Sequence, residues 1–593
     1  MSDPILTTDQ QALIDAEESL FAAACPGAGK TRAMVARFLK RTAEEDRQGI
    51  ALLSFTNAAV EEVRQRCGPR TQALETPHFV GTFDTFIHRF IVTPLYVKAF
   101  KQKPNYVQRW RDISSASFRL GQIGRAKNLH LEWFDFDRVG RARLVEGRIP
   151  RDFGSPTVLV ELLARRFEAE AHASHIFGRL VSAGTISCVA ARCLAEYWLQ
   201  EADGHQILAP LLRSRFAEVI VDEAQDCGRE ELRILEFLRQ QGTRVIMVGD
   251  TDQSIYEFRS ATPEGVRAFA DSLPGAPIQL RDNWRSTPAI CAFNTSLRSG
   301  QLTELARGEN AWNPTPVHLV EYKTLNEIVP TALGIAERNK LTADDLILLS
   351  HAETHGMKAA GVHGIDNTNP NRVARIASAG QILRSRTTDP RTRRKAIDQV
   401  QRAVLDALTA NQRAKTGHED FDAQCELAGV EPRWLEAFAV RMALRLNAAD
   451  RARNTFAAEV RTYLRDADWA DIRPPNTTDL GRLFKAPNEA TWTRTNSTGT
   501  EPLMRFSTVH GVKGRQYPGV VLIVPERLRT DNATERNVVD DWEGDHNTEA
   551  RRVLYVAGSR AQQLLICAIH EKHIGRIEAV LAKSGVPHAR SQP

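Results

Sequence analysis

The sequence predicts an α/β protein with parallel sheets and two long inserts. Residues 17–90 alternate apolar runs with helical patterns, and the alternation resumes over 205–275. A second α/β block runs over 276–360, with a strand at Val317–Tyr322, a helix over 326–339 and a buried strand at Leu346–Ser350, and resumes from about 495. The stretches between them break the alternation. In 361–494 the residues 396–408, 433–446 and 455–466 carry apolar side chains at helical spacing, after a loop-like start at 361–370.

The first element that carries chemistry follows the apolar run 19–24. It reads Ala22-Ala-Ala-Cys-Pro-Gly-Ala-Gly-Lys-Thr31 and leads into a helical pattern over 32–41. A glycine-bearing loop between strand and helix is the setting of a phosphate-binding loop, where backbone N–H groups and the positive helix end face a polyphosphate. Lys30 is expected to reach the β- and γ-phosphates of ATP and Thr31 to hold Mg²⁺. The usual pattern begins with glycine, and here Ala24 takes that position. Gly27, Ala28 and Gly29 still let the backbone approach phosphate. Ala24, Cys25, Pro26, Gly27, Ala28, Gly29, Lys30, Thr31 and Arg32 form the candidate nucleotide-binding stretch.

Next, Val219-Ile-Val-Asp-Glu-Ala-Gln-Asp226 is a short apolar strand that ends in acids, roughly 190 residues after the loop. Strand ends are where open α/β sheets place ligand chemistry. Asp222 is expected to hold Mg²⁺, and Glu223 to polarise the attacking water. A further strand, 245–248, runs into Gly249-Asp-Thr-Asp-Gln-Ser-Ile-Tyr-Glu-Phe-Arg259. Gln253 is placed to sense the γ-phosphate. Tyr256 and Phe258 beside Arg259 suit stacking on single-stranded bases, with a core role as the alternative.

These stretches together resemble superfamily 1 helicases of the UvrD/Rep/PcrA type, and further motifs follow in order. Leu6-Thr-Thr-Asp-Gln10 resembles the Q motif, with Gln10 reading the adenine edge. Ser54-Phe-Thr-Asn-Ala-Ala59 and Gly81-Thr-Phe-Asp84 resemble the DNA-contacting motifs, which implies contacts from Thr56, Asn57, Thr82 and Phe83; Asp84 stands where the family often has His. Leu280-Arg-Asp-Asn-Trp-Arg-Ser-Thr287 resembles motif IV, with Trp284 as the adenine platform and Arg285 as an arginine finger. Ser507–Gly514 resembles motif V, which contains His510. The motif V continuation reads Lys513-Gly-Arg-Gln-Tyr517, so Gln516 replaces the Glu expected at the ribose. Glu549–Ala561 resembles motif VI, with Arg560 as the second finger and Ser559 in place of Thr.

The resemblance implies two RecA-like domains that bind ATP between them. Domain 1A would comprise 1–90 and 205–275, with insert 1B at 91–204. Domain 2A would comprise 276–360 and 495–593, with insert 2B at 361–494; both inserts are expected to be mostly helical. Lys30, Glu223, Gln253, Arg285 and Arg560 would carry catalysis. The expected activity is ATP-driven translocation on single-stranded DNA, or on DNA with a single-stranded tail, in the 3′→5′ direction. The compact length, with about 30 residues after motif VI and no nuclease constellation, also resembles the helicase-like subunit of phage-defence systems such as Gabija. That implies an alternative: a nucleic-acid-sensing ATPase that regulates a partner nuclease of the OLD/TOPRIM type.

Composition is compatible with both. The net charge of +5 and pI near 8.7 fit a nucleic-acid partner without requiring one. No N-terminal secretory pattern or uninterrupted 18-residue apolar run occurs, so a cytoplasmic protein with no membrane span is expected. The eight cysteines are scattered and are expected to be reduced; Cys188 and Cys193 are the one close pair and read as buried helix residues. Two stretches mix basic residues with other signals. Between Arg372 and Lys395, eight basic residues face one acid, which reads as a solvated or partner surface ahead of a duplex contact. Residues 133–137, followed by Arg138, Arg141 and Arg143, read as a half-buried strand.

Overall fold

The structure, a computed structural model, describes residues 6–45, 47–68, 70–121, 128–149, 156–255, 263–300, 302–361, 371–385, 388, 390–410, 421–496, 502–527 and 537–591. Two six-stranded parallel sheets organise it. The first contains β1 (Leu20–Ala24), β2 (Gly49–Ser54), β3 (Phe79–Thr82), β4 (Phe216–Val221), β5 (Arg244–Gly249) and β6 (Ile278–Leu280), in the order β6-β1-β5-β4-β2-β3. The second contains β7 (Val317–Tyr322), β8 (Leu346–Ser350), β9 (Phe506–Thr508), β10 (Tyr517–Val524), β11 (Ala561–His570) and β12 (His588–Ser591), in the order β9-β8-β10-β11-β7-β12.

Both sheets are apolar on both faces, as parallel sheets covered by helices must be. Along β1, β2 and β4, alternate residues pack on opposite sides. Ala22, Leu52 and Ile220 join Met34 and Phe38 in one cluster, while Phe21, Leu53 and Val219 join another. The second cluster continues without a break into the 91–204 insert, through Trp110, Phe134 and Phe177. That insert therefore shares its core with the first sheet. It carries three short two-stranded pairings besides its helices, one of them Phe134–Phe136 with Ala142–Leu144, where the sequence predicted a half-buried strand. The other insert, around helices Arg372–Arg384, Pro390–Leu408, Pro432–Arg445 and Arg453–Asp466, has a core of its own that includes Val404, Phe438 and Phe456.

One boundary differs from expectation. Residues 278–280 were assigned to the second α/β unit, but β6 pairs with β1, Ala22 opposite Ile278. The first sheet's edge at β1 needs a hydrogen-bonding partner, and β6 supplies it before the chain crosses to helix Pro288–Leu297.

The first sheet is braced by a buried ion pair. Arg37, on helix Lys30–Glu44, donates from Nε and Nη2 to the two oxygens of Glu218 on β4, each at 2.7 Å, and both side chains are fully buried. Its Nη1 reaches the Leu13 carbonyl at 2.7 Å, in helix Thr8–Asp15. This cross-brace fixes the helix that follows the phosphate loop to the strand that carries the acids.

Candidate ATP site and nucleic-acid groove

The strand order decides where chemistry meets. The carboxyl ends of β1, β5 and β4 lie side by side and present Cys25–Lys30, Asp250 and Asp222–Glu223 to one crevice. The ends of β2 and β3 lie next along the same edge and present Thr56, Asn57 and Thr82.

In the loop, Gly27 and Gly29 have φ of +74° and +73°, a conformation that side-chain-bearing residues rarely adopt. At Gly27 space is limiting as well: a Cβ there would stand 2.7 Å from both Arg285 Cβ and Asn283 Oδ1. The Cys25 N–H donates to the Leu280 carbonyl at 2.9 Å, and Trp284 N–H to the Gly27 carbonyl at 3.0 Å. The loop is thus clasped by the segment that carries Trp284 and Arg285. Ala24, at the first loop position, is wholly buried as the last residue of β1, which suits a small side chain.

Lys30 Nζ lies 3.6 Å from Glu223 Oε2. Burial works against its charge, but Glu223, Asp250 and Asp222 outweigh it and raise its pKa. Glu223 adopts φ +51°, ψ +46°, an uncommon conformation for a residue with a side chain. Gln225 Nε2 donates to its carboxylate in a short hydrogen bond. Desolvation opposes ionisation of Glu223, yet Lys30, Lys513 and this amide hold its carboxyl below the usual range. Burial and the charge of Glu223 push neighbouring Asp222 up to about 7. A buried carboxylate so disfavoured as an anion is a hard oxygen donor that a divalent cation would keep ionised, and the Thr31 hydroxyl is a second donor of the same kind. Thr31 and Asp222 therefore fit Mg²⁺, which would neutralise phosphate charge there.

The second sheet supplies the facing wall. Arg560 Nη2 donates to Gln253 Oε1 at 2.8 Å, and Arg285 Nη1 to the Ser559 carbonyl at 2.8 Å. Burial lowers the pKa of both arginines, and for Arg560 the charge of Arg285 adds to it. Arginine stays protonated in proteins, so two guanidiniums crowded in this way favour an incoming anion. The Arg285 Nε is buried without a hydrogen-bond partner, a donor suited to phosphate oxygen. Trp284 is 42% exposed, an open flat face beside the loop. Gln516 is exposed near the same seam.

Gln10 also has partners within the protein. Its side chain is buried, accepting from Thr7 N–H at 3.1 Å and donating to the Ala28 carbonyl at 2.8 Å. The amide thus braces the phosphate loop itself; as the capping-box partner of Thr7 it is committed to the start of helix Thr8–Asp15.

Of the expected nucleic-acid residues, Thr56 and Thr82 cap helices, accepting from Ala59 and Thr85 N–H, and Asn57 is exposed beside them. Asn57, Arg64, His78, Thr82, Thr85 and Arg89 line a groove of about 530 Å³. Phe83 is corrected: it is 1% exposed and stacks on Phe55 at 5.8 Å, because the residue after β3 turns inward to close the core. Asp84 is paired with Arg192 of the insert at 2.6 Å, so its charge is compensated within the fold. His510 Nε2 donates to the Ile255 carbonyl at 3.2 Å, across the sheets. Tyr256, Phe258 and Arg259 lie outside the described residues. The basic stretch is largely committed internally: Arg372 pairs with Asp406, Arg394 with Asp398 and Glu436, and Lys395 with Glu353, while Arg384 donates to the Leu444 and Leu446 carbonyls.

Several cross-sheet contacts carry no assignment from the sequence. Lys513 Nζ reaches both Asp226 oxygens at 2.8 Å, Arg552 Nε donates to the Ser254 carbonyl at 2.6 Å, and Arg298 grips Asp250 at 2.8 and 3.2 Å. Lys513 and Arg552 stand inside the quoted motifs. Nothing local marks Arg298.

With this geometry in view, comparison with known proteins is specific. Residues 6–128 and 176–274 match the UvrD/REP helicase N-terminal domain. DNA helicase II of Salmonella typhimurium is 27% identical over 306 residues, covering 50% of this chain and 40% of that protein, and DNA helicase II of Escherichia coli gives the same figures. A putative ATP-dependent DNA helicase, YjcD, of Bacillus subtilis is 27% identical over 307 residues, covering 48% of this chain and 37% of its own length. The chain thus spans less than half the length of these relatives. The matches support a UvrD-type superfamily 1 helicase domain. Among the described residues no helix is long and apolar enough to cross a membrane.

Proposed function

We propose that this protein hydrolyses ATP with Mg²⁺ between its two sheets and uses the cycle to move along single-stranded DNA in the 3′→5′ direction, as a DNA helicase. One observation carries the reading: Lys30 and Glu223 from the first sheet face Arg560 from the second, which is bonded to Gln253 across the cleft. In this reading Lys30 and the loop amides bind the β- and γ-phosphates. Glu223, held ionised by Lys30, accepts a proton from the attacking water. Arg285 and Arg560 stabilise charge that develops on the phosphoryl oxygens, the effect that arginine fingers supply. Trp284 stacks on the base. The sheets are organised as domains 1A and 2A, with inserts 1B and 2B.

Coupling to DNA runs through the same seam. Gln253 is followed closely by Ser254 and Ile255, whose carbonyls are held by Arg552 and His510 of the second sheet. A change in the γ-phosphate contacts of Gln253 and Arg560 therefore pulls on the segment that leads to Tyr256 and Phe258. The groove beside Asn57, Thr82 and Thr85 continues the track on the first sheet, where hydroxyls and Arg64 offer phosphate contacts.

The test is ATP hydrolysis with and without single-stranded DNA, followed by unwinding of 3′- and 5′-tailed duplexes. Hydrolysis stimulated by DNA, abolished in Lys30→Ala, and unwinding of 3′-tailed substrate alone are expected. Hydrolysis indifferent to DNA would refute the coupling. DNA-stimulated hydrolysis without unwinding of either tail would favour the alternative, an ATPase that regulates a partner nuclease in anti-phage defence.

A further inference from the structure

Behind the two arginines lies a buried polar cluster centred on Glu304, in the segment after helix Pro288–Leu297. Glu304 is 5% exposed. Its Oε2 accepts from Asn283 Nδ2 at 2.9 Å and from Asn294 Nδ2 at 3.3 Å; its Oε1 lies 3.0 Å from the Tyr555 hydroxyl oxygen and 3.6 Å from Arg298 Nη1. A carboxylate with two fully occupied oxygens in a dry interior is costly unless each contact is maintained.

Those contacts lead in two directions. Asn283 Oδ1 accepts the backbone N–H of Arg285 at 2.9 Å and of Ser286 at 3.0 Å. An amide can offer its oxygen to that turn only if its NH₂ faces an acceptor on the other side, and Glu304 is that acceptor. In the other direction, Tyr555 stands between Glu304 and Asp250, 2.7 Å from Asp250 Oδ2. The same Asp250 oxygen accepts from Gln253 Nε2 at 2.8 Å, and Gln253 Oε1 holds Arg560. One unbroken chain of contacts thus runs Arg285–Asn283–Glu304–Tyr555–Asp250–Gln253–Arg560. Its ends are the two arginines, and its middle is an acid that belongs to none of the quoted motifs.

We infer that Glu304 is a positioning residue for phosphoryl transfer: by fixing the Asn283 amide it sets the Arg285 turn, and through Tyr555 and Asp250 it links that turn to the Gln253–Arg560 pair. The inference rests on the ATP-hydrolysing reading above. Glu304 touches no phosphate-facing atom itself. Its effect lies in the orientation of groups that do, and so falls on turnover and not on nucleotide affinity.

Replacement by Gln keeps the volume but turns one acceptor into a donor. The new NH₂ then faces either the two asparagine amides or the Arg298 guanidinium, all of them donors, and the chain breaks. Steady-state ATP hydrolysis of the full chain with saturating single-stranded DNA should show kcat lowered about 10–100-fold in Glu304→Gln, the usual size for a group that orients another, with KM for ATP within about twofold. Asn283→Ala should lower kcat similarly, and the double variant should fall little further, because both changes release the same turn. Glu304→Asp serves where Glu304→Gln folds poorly, and rates are taken per site titrated with a non-hydrolysable ATP analogue. An unchanged kcat per titrated site, a rise in KM alone, or fully multiplicative effects of the Asn283 and Glu304 changes would overturn the inference. Absence of hydrolysis by the unaltered chain would instead remove the function proposed above.

Discussion

The two walls of the cleft are built on different plans. On the first-sheet wall, Lys30, Asp222 and Glu223 stand at neighbouring strand ends and are organised by one another, by Gln225 and by the Arg37–Glu218 brace beneath them. On the opposite wall, Arg285 is held within its own side by the Ser559 carbonyl, and Arg560 is organised by a contact that crosses between the sheets, to Gln253. In the proposed function the first wall is pre-assembled for holding polyphosphate. The second is correct only when the two sheets stand in one particular relation, which under the same proposal makes it the place to couple catalysis to movement.

The two walls should differ most at Arg560. Arg560→Ala should lower kcat by about 10³–10⁵ while binding of a fluorescent ATP analogue is kept, measured by titration beside turnover. A large loss of nucleotide affinity instead would assign Arg560 to the binding wall. Glu223→Gln comes next, with kcat down about 10²–10⁴ and binding preserved, since an amide cannot accept the proton. Near-normal turnover would rule out Glu223 as the base. Within the first wall, Glu218→Ala should destabilise the protein by about 3–5 kcal/mol in a denaturant melt, because it strands Arg37 without its partner in a dry interior. A melt within 1 kcal/mol of the original, an order-of-magnitude threshold, would show the brace to be dispensable.

Lys30→Ala, besides abolishing turnover, should weaken nucleotide binding about 10–100-fold, the loss of one charge-assisted contact, where Arg560→Ala is expected to keep it. Equal binding in the variant and the parent would remove Lys30 from the holding wall. The smallest effect is expected far from both walls. Arg394→Ala should change affinity for single-stranded DNA less than about twofold, since its guanidinium is paired with Asp398 and Glu436 on the insert surface. A strong, salt-sensitive loss would restore the basic stretch as a DNA contact.

Much of this protein is legible in its sequence because the relevant signals are local. Periodicity placed β7 and β8 at their observed bounds, and the strand, glycine-bearing loop and helix around Lys30 stand where the sequence pattern puts them, since such a unit needs only adjacent residues to declare itself. Motif order pointed to Glu223, Gln253, Arg285 and Arg560, which the fold brings into one crevice. What remained hidden depends on which side of the chain faces inward. Phe83 read as a contact of the DNA track and lies in the core; the hold of Gln10 on the Ala28 carbonyl had no signal in sequence; the basic stretch of 372–395 spends much of its charge on partners in 353–446. Residues 278–280 joined the first sheet because an edge strand's unpaired groups are satisfied by whatever strand folds against them. Glu304 shows the limit most plainly. In sequence it is one acid in a loop; its four partners lie between six and 251 residues away, and only packing of the two sheets removes the water that would otherwise make its contacts negligible.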